Sequence, residues 1–445
     1  MWRKKALIFS VAISGFLATT SAVFAASKEK VLYSFNGADG QFPSNVTLTA
    51  DSMGNLYGTT SEGGNHGLGT VFELTKGTNG DWTETILYSF CRDGQPCLDG
   101  ELPDSGLVFD AVGNLYGTTG YGGASECNLG CGTVFELMPG ANGQWREKVL
   151  YSFQGDNGDG QSPSGVNFDA AGNLYGTTFY GGGDYAYCVP SCGTVFELTQ
   201  RDDGTWTEKV LHRFNSKGKG KDGSNPDGSL TIDALGNLYG TTTHGGTHIC
   251  GSGGGCGTVF EMRIGTNGKW AEKILHSFTG QDGESPYANV IFDAAGNLYG
   301  TTYKGGEVGC GPPAGCGTVF ELISGADGKW SEKVLRSFFR ERGPVGGVIF
   351  DAAGNLYGTT VAGGTYGYGR CLNGCGTVFE LSPGTNGQWS ETTLHDFNIR
   401  NGWEPTGNLI FDTAGNLYGT TNYGGSHDTK RCRGGACGTV FEITP

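Results

Sequence analysis

The chain has 445 residues, of which 83 are glycine, 16% are charged and 12% are aromatic, and its net charge is −15. Such acidity disfavours nucleic acid and anionic membranes as partners, because their phosphates are repelled. The glycines recur at fixed offsets beside aromatic and β-branched residues, which excludes a low-complexity chain and predicts short strands joined by tight turns.

Residues 1–25 read as a secretory signal. Arg3, Lys4 and Lys5 form the charged start, Ala6 to Ala18 an apolar run, and Val23-Phe24-Ala25 a small-residue cleavage site. The apolar run is too short to span a bilayer, and no later segment reads as a membrane helix. The expectation is an exported, soluble, monomeric protein of 420 residues (445 − 25) with a charge of −18 (−15 − 3), secreted or held in the periplasm or envelope, without membrane insertion.

The heptapeptide GNLYGTT then recurs at Gly54, Gly113, Gly172, Gly236, Gly296, Gly354 and Gly415. Each copy is followed by GTVFE, beginning at Gly69, Gly132, Gly193, Gly257, Gly317, Gly376 and Gly438. Six GTVFE segments lead into a Trp-x-Glu strand that ends in Leu-x-x-Phe; the seventh stops at Pro445. The strand it lacks stands ahead of the first repeat, as residues 29–35 (EKVLYSF). A chain whose start completes its last unit predicts a closed ring.

In the second repeat, Ser105–Asp110 reads as a first strand, Ala111-Val112-Gly113 as a tight turn, and Asn114–Thr119 as a second strand. A variable loop with a Gly-Gly pair follows, then third and fourth strands over Gly132–Met138 and Trp145–Phe153. Four antiparallel strands per unit, repeated radially, describe a β-propeller blade. The fold class is all-β: one seven-bladed β-propeller over 26–445, with blades starting near 45, 105, 165, 229, 289, 346 and 407. Both faces of each strand carry apolar residues, so neighbouring blades must cover both. Gly117, inside a strand, is expected to let the next sheet approach.

Fourteen cysteines fall into seven local pairs: Cys91/Cys97, Cys127/Cys131, Cys188/Cys192, Cys250/Cys256, Cys310/Cys316, Cys371/Cys375 and Cys432/Cys437. Export and close pairing predict disulfides. Zinc sites use tighter spacing with a second ligand pair nearby, and here each pair sits in a different repeat. Short loops closed this way gain about 2 kcal/mol per bridge on the chain-entropy account.

The assembled pattern, GNLYGTT…GG…GTVFEL…W-x-E…L-x-x-F, resembles the GloVer tandem-repeat family of exported bacterial proteins across essentially the whole mature chain. Its F-D-x-x-G-N-L-Y core is similar to the blade hairpins of NHL propellers. The resemblance implies an extracellular or envelope location and carries no reaction with it.

Residues repeated in every blade read as scaffold. The GTVFE glutamates, Glu73 to Glu442, are expected to accept hydrogen bonds from nearby hydroxyl or backbone groups rather than form an acidic ring. The D-G-x-x-P pattern beginning at Asp39, Asp99, Asp159, Asp222 and Asp282 reads as a turn, with calcium as the alternative. No cofactor and no metal is expected.

Function is expected on the rim that carries the cysteine-clasped loops. The residue before each Gly-Gly varies around the ring: Glu62, Tyr121, Tyr180, His244, Lys304, Ala362 and Tyr423. Tyr121, Tyr180, His244, Lys304, Trp403 and Tyr423 are the ligand-binding candidates, with loop tyrosines Tyr185, Tyr187, Tyr366 and Tyr368 in support. Ring closure should gather Glu62, His66, Glu404, His427 and Asp428 between blades seven and one as acid–base candidates. His244, His248, Lys304 and Glu307 form a second cluster across blades four and five. The expected function is recognition of an extracellular carbohydrate or protein. A polysaccharide lyase or hydrolase acting near blades seven and one is the enzymatic alternative, and an architectural envelope protein the third.

Overall fold

A computed structural model describes residues 27–445, apart from 125–126, 128, 156–157, 184–191, 215–220, 251–253, 307–315, 340–342, 367–370, 427–431 and 433–435. It contains seven four-stranded antiparallel sheets arranged as a ring of blades. The first blade comprises Thr49–Ala50, Leu56–Thr60, Thr70–Lys76 and Trp82–Ser89. The seventh comprises Ile410–Phe411, Leu417–Thr421 and Thr439–Thr444, and takes its fourth strand from Lys28–Ser34.

That closing strand pairs as every other fourth strand does. Lys28 faces Thr444, Val31 faces Phe441, and the register then shifts so that Tyr33 faces Val440. The first blade has the same shift, between Val71/Tyr88 and Phe72/Ile86. A shared irregularity means that residues 28–34 fill a position with defined geometry rather than merely covering an edge.

Seven apolar clusters hold the ring together, and each belongs to a seam between two blades. Tyr57, Val71 and Phe90 of blade one pack with Leu107, Leu115 and Phe135 of blade two. Leu32, Phe35 and Val440 of blade seven pack with Val46, Leu48 and Phe72 of blade one. Strand alternation produces this division: in GTVFE the valine points forward along the ring and the phenylalanine back. At every seam the phenylalanine of Leu-x-x-Phe meets that of the next GTVFE. Phe35 and Phe72 have centroids 5.1 Å apart, as do Phe90 and Phe135.

Two details differ from the sequence expectation. The first strand of blade two is only Val108–Phe109, and Ser105 and Gly106 ahead of it line the central cavity. Only blade three keeps a long first strand, Gln161–Phe168. Gly117 makes room within its own blade: a Cβ there would lie 2.7 Å from Phe135 Cζ. The glycine leaves room for the ring tip of Phe135 from the paired strand.

Threonines of the second strand latch adjacent blades. Thr241 Oγ1 donates to Ala288 O at 2.8 Å, and Thr301 Oγ1 to Gly346 O at 2.9 Å. Thr420 Oγ1 donates to Pro43 O at 3.0 Å, so the last blade holds the first by the same bond.

Candidate functional site

The residue before each blade's proline stands at a corner where the chain turns towards the axis. Leu102, Ser162, Asn225 and Ser285 all have φ between 55° and 58° there, a left-handed conformation that costs a non-glycine residue energy. The neighbouring blade compensates. The corner N–H donates to the carbonyl just ahead of GTVFE in the preceding blade: Ser162 to Cys131 at 2.9 Å, Asn225 to Cys192 at 2.7 Å, and Ser285 to Cys256 at 2.9 Å. In the second blade, Leu102 bonds to Leu68 at 3.0 Å. The proline then presses on the GTVFE glycine, so that a Cβ on Gly69 would lie 2.5 Å from Pro103 Cδ.

The residue after the proline is thereby aimed at the mouth of the central channel in six blades, as Asp104, Ser164, Asp227, Tyr287, Val345 and Thr406; in the first blade it is Ser44, whose hydroxyl bonds Asn422 instead. A cavity of about 250 Å³ opens here, with wall residues from all seven blades. Asp104, Asp227, Tyr121, Tyr180 and Tyr287 line one side of it, and among the described residues no lysine, arginine or histidine does. Below, the first strands close in: Asn408 Nδ2 donates to Asn289 Oδ1 at 2.9 Å, joining blades seven and five past blade six.

Asp227 is the electrostatic centre of this wall. Burial, then the charge of Asp104, pushes its carboxyl up to about 7, partly opposed by a hydrogen bond from Ser164. Water reaches Asp104 through the mouth, yet the crowding walls desolvate it and push its carboxyl up to about 6. Tyr180 and Tyr287 both feel the charge of Asp227 and, like it, are raised chiefly by burial. Both carboxyls are thus raised towards neutral pH, Asp227 the further. The wall therefore offers both a donor and an acceptor beside flat aromatic faces.

The profile described as the Gloeobacter/Verrucomicrobia repeat matches residues 8–188, 99–312, 189–372 and 249–445. The chain belongs to this family. No curated protein matches the Gloeobacter/Verrucomicrobia repeat chain. Among solved structures it is similar to a fungal alcohol oxidase in complex with copper, at 15% identity and a TM-score of 0.50, over 91% of this chain and 75% of that one. It is also similar to a luciferin-regenerating enzyme, at 12% identity and a TM-score of 0.41, over 94% and 95% of the two chains. The first of these likenesses speaks for the propeller fold of the Gloeobacter/Verrucomicrobia repeat and for nothing further.

Of the expected ligand-binding residues in this Gloeobacter/Verrucomicrobia repeat, Tyr121 and Tyr180 line the cavity. The others stand elsewhere on the rim. His244 and Lys304 are near each other: burial, then the charge of Lys304, holds the His244 imidazole below its usual range. Trp403 and Tyr423 stack with centroids 5.0 Å apart, and Phe42 meets Tyr423 edge-on at 5.0 Å. Ring closure does bring Glu62 and Glu404 together, since both charges reach Tyr423. Gln41 Nε2 donates to Glu62 Oε2 at 3.0 Å. His66 is exposed. His427, Asp428, Glu307, Tyr185, Tyr187 and Tyr368 lie outside the described residues.

Five of the expected disulfides are present: Cys91–Cys97, Cys127–Cys131, Cys250–Cys256, Cys371–Cys375 and Cys432–Cys437. Cys192 and Cys316 are also disulfide-bonded, and their expected partners Cys188 and Cys310 lie outside the described residues. The GTVFE glutamates act as scaffold acceptors. Tyr57 Oη donates to Glu73 Oε1 at 2.7 Å, and Tyr239 Oη to Glu261 Oε1 at 2.6 Å. The D-G-x-x-P aspartates brace turns: Asp99 accepts from Tyr88 Oη at 2.8 Å and from the N–H groups of Cys91 and Arg92.

Sequence reasoning missed Asp104, Asp227 and Tyr287. Their signal was variation at a fixed place, the position after the proline, where each blade differs while its flanks stay constant. The same test had already singled out the residues before Gly-Gly.

Proposed function

We propose that the protein is exported, with residues 1–25 as its signal, and binds carbohydrate at the mouth of its central channel. One observation carries this reading: Asp104, Asp227, Tyr121, Tyr180 and Tyr287 converge on a single cavity of about 250 Å³. Aromatic faces pack on the apolar faces of sugar rings, while carboxylates accept hydrogen bonds from sugar hydroxyls. Binding pockets start at about 300 Å³, so this cavity suits a terminal sugar better than a long internal stretch. The narrowing between Asn289 and Asn408 beneath it points the same way.

The test is a glycan array on the mature protein, followed by calorimetry with the best binder. Y121A, Y180A and D227N should each weaken binding by about tenfold or more, the loss of about 1.4 kcal/mol. An empty array, or affinity unchanged in all three variants, contradicts the proposal.

A hydrolytic reading is favoured by Asp104 and Asp227 sharing one cavity wall, where burial pushes their carboxyls up to about 6 and about 7. Groups poised there suit general acid–base catalysis. It moves the proposed reactive centre from blades seven and one to blades two and four. Release of reducing ends from the bound glycan, abolished in D104N and D227N, would support it; a glycan recovered intact would exclude it.

A further inference from the structure

Away from the channel, five of the seven seams carry a recurrent trio on the outer side. A residue at the end of one blade's fourth strand meets the aspartate of the following turn and the Trp-x-Glu glutamate of the next blade. In three seams the first member is tyrosine: Tyr33 Oη donates to Asp39 Oδ2 at 2.6 Å, Tyr88 to Asp99 at 2.8 Å, and Tyr151 to Asp159 at 2.8 Å. In two consecutive seams it is histidine instead, His212 and His276; His395 holds the same position between blades six and seven, but its partner there is Asn401.

The change alters the chemistry. Tyrosine and histidine both hydrogen-bond the turn aspartate, but an imidazole that gives up its proton to solvent presents a nitrogen lone pair that can ligate a metal. His276 Nε2 stands 3.0 Å from Asp282 Oδ2. With a Glu332 carboxylate oxygen, the three donor atoms all lie within 4.8 Å of one another. Two ligand atoms each about 2.0–2.1 Å from a tetrahedral zinc ion are themselves about 3.3 Å apart, within a few tenths of an ångström of the His276–Asp282 separation. Glu332 Oε1 is buried and has no hydrogen-bond partner. The tyrosine seams have the same unpaired glutamate oxygen at Glu84 and Glu147, but a phenol hydroxyl in place of the imidazole.

We propose that His276, Asp282 and Glu332 form a divalent transition-metal site, suited to zinc, in the seam between blades four and five. The imidazole nitrogen selects against calcium and magnesium, which prefer all-oxygen shells. His276 and Asp282 side chains are 18% and 16% exposed, so water can supply the remaining coordination. The ligands come from two blades and the turn between them, so the ion would staple that seam. His212, Asp222 and Glu272 repeat the residue types one seam earlier, with the looser histidine–aspartate spacing of 3.5 Å.

Isothermal titration of the mature, disulfide-intact protein with zinc chloride and with calcium chloride tests this, alongside thermal unfolding. Zinc should bind and raise the melting temperature, and calcium should do neither at the same concentration. H276Y installs the residue already present at three equivalent positions, so the fold should survive while one zinc equivalent disappears. E332Q should weaken that equivalent by about tenfold or more, a scale reached even by outer-shell changes. Absence of zinc binding by the folded wild type, a calcium response equal to that of zinc, or unchanged zinc stoichiometry and affinity in both variants overturns the proposal.

Discussion

The backbone N–H of Asn225 donates to the carbonyl of Cys192 over 2.7 Å, across the seam between blades three and four. This bond ties a disulfide-bonded cysteine to a left-handed corner, and two residues beyond that corner stands Asp227. Cys256 holds Ser285, and so Tyr287, in the same way. The cysteine loops are therefore one step removed from the channel: they stiffen the carbonyls that fix the corners that aim the cavity residues.

Removing one clasp should therefore affect binding more than folding. C250S/C256S should lower unfolding free energy by about 2 kcal/mol, the worth of so short a loop. Affinity for the array-identified glycan should fall with it, because Tyr287 loses its anchored corner. Denaturant unfolding and calorimetry on one preparation separate the two effects. Unchanged affinity would mean that the corners hold without the bridges.

Stability should decline from mildly acidic to alkaline pH. Burial, then the nearby turn aspartates, pushes Glu84, Glu147 and Glu272 up to about 8, and Glu208 and Glu332 up to about 7. The folded state thus holds protons that the unfolded chain has released. This stabilisation is fully present below the unfolded carboxyl pKa and is lost as pH rises through 7 to 8. Asp293, Asp351 and Asp412, lowered by hydrogen bonds, act oppositely and lose their contribution only in stronger acid. Melting temperatures at pH about 5.5 and about 9 check the sign, and E84Q/E147Q/E272Q should flatten the alkaline decline.

Ring closure makes a sharp contrast between two glycines. A Cβ on Gly438 (φ +96°) would lie 2.6 Å from Pro43 Cδ, across the seam of blades seven and one. A Cβ on Gly415 (φ +86°) would meet nothing within 4 Å. G415A should cost about 1 kcal/mol through backbone strain alone, and G438A about 1–3 kcal/mol more through overpacking. Equal effects in chemical denaturation would show that this seam is not closely packed.

The ring was legible because residues 29–35 repeat a pattern whose other copies end blades, and closure places that pattern beside the final GTVFE. The seam clusters were legible too, since Val71 and Phe72 alternate on a strand that carries apolar residues on both faces. The channel site was less so. Alternation tells which seam a side chain enters, but not how far it stands from the axis. Tyr121 and Tyr180 were found because the residue before Gly-Gly visibly varies. Asp104 and Asp227 escaped because the proline before them was fully explained as a turn. The paired register of Glu101 with Tyr121 links the two positions, and only the fold reveals it.

The most direct test of the account is a crystal structure of the mature protein with the glycan selected on the array. It should show a terminal sugar in the channel mouth, its ring against Tyr121, Tyr180 or Tyr287 and its hydroxyls within hydrogen-bond reach of Asp104 and Asp227. Glycan bound instead on the opposite rim, or beside Trp403 and Tyr423 with the channel mouth empty, would contradict it.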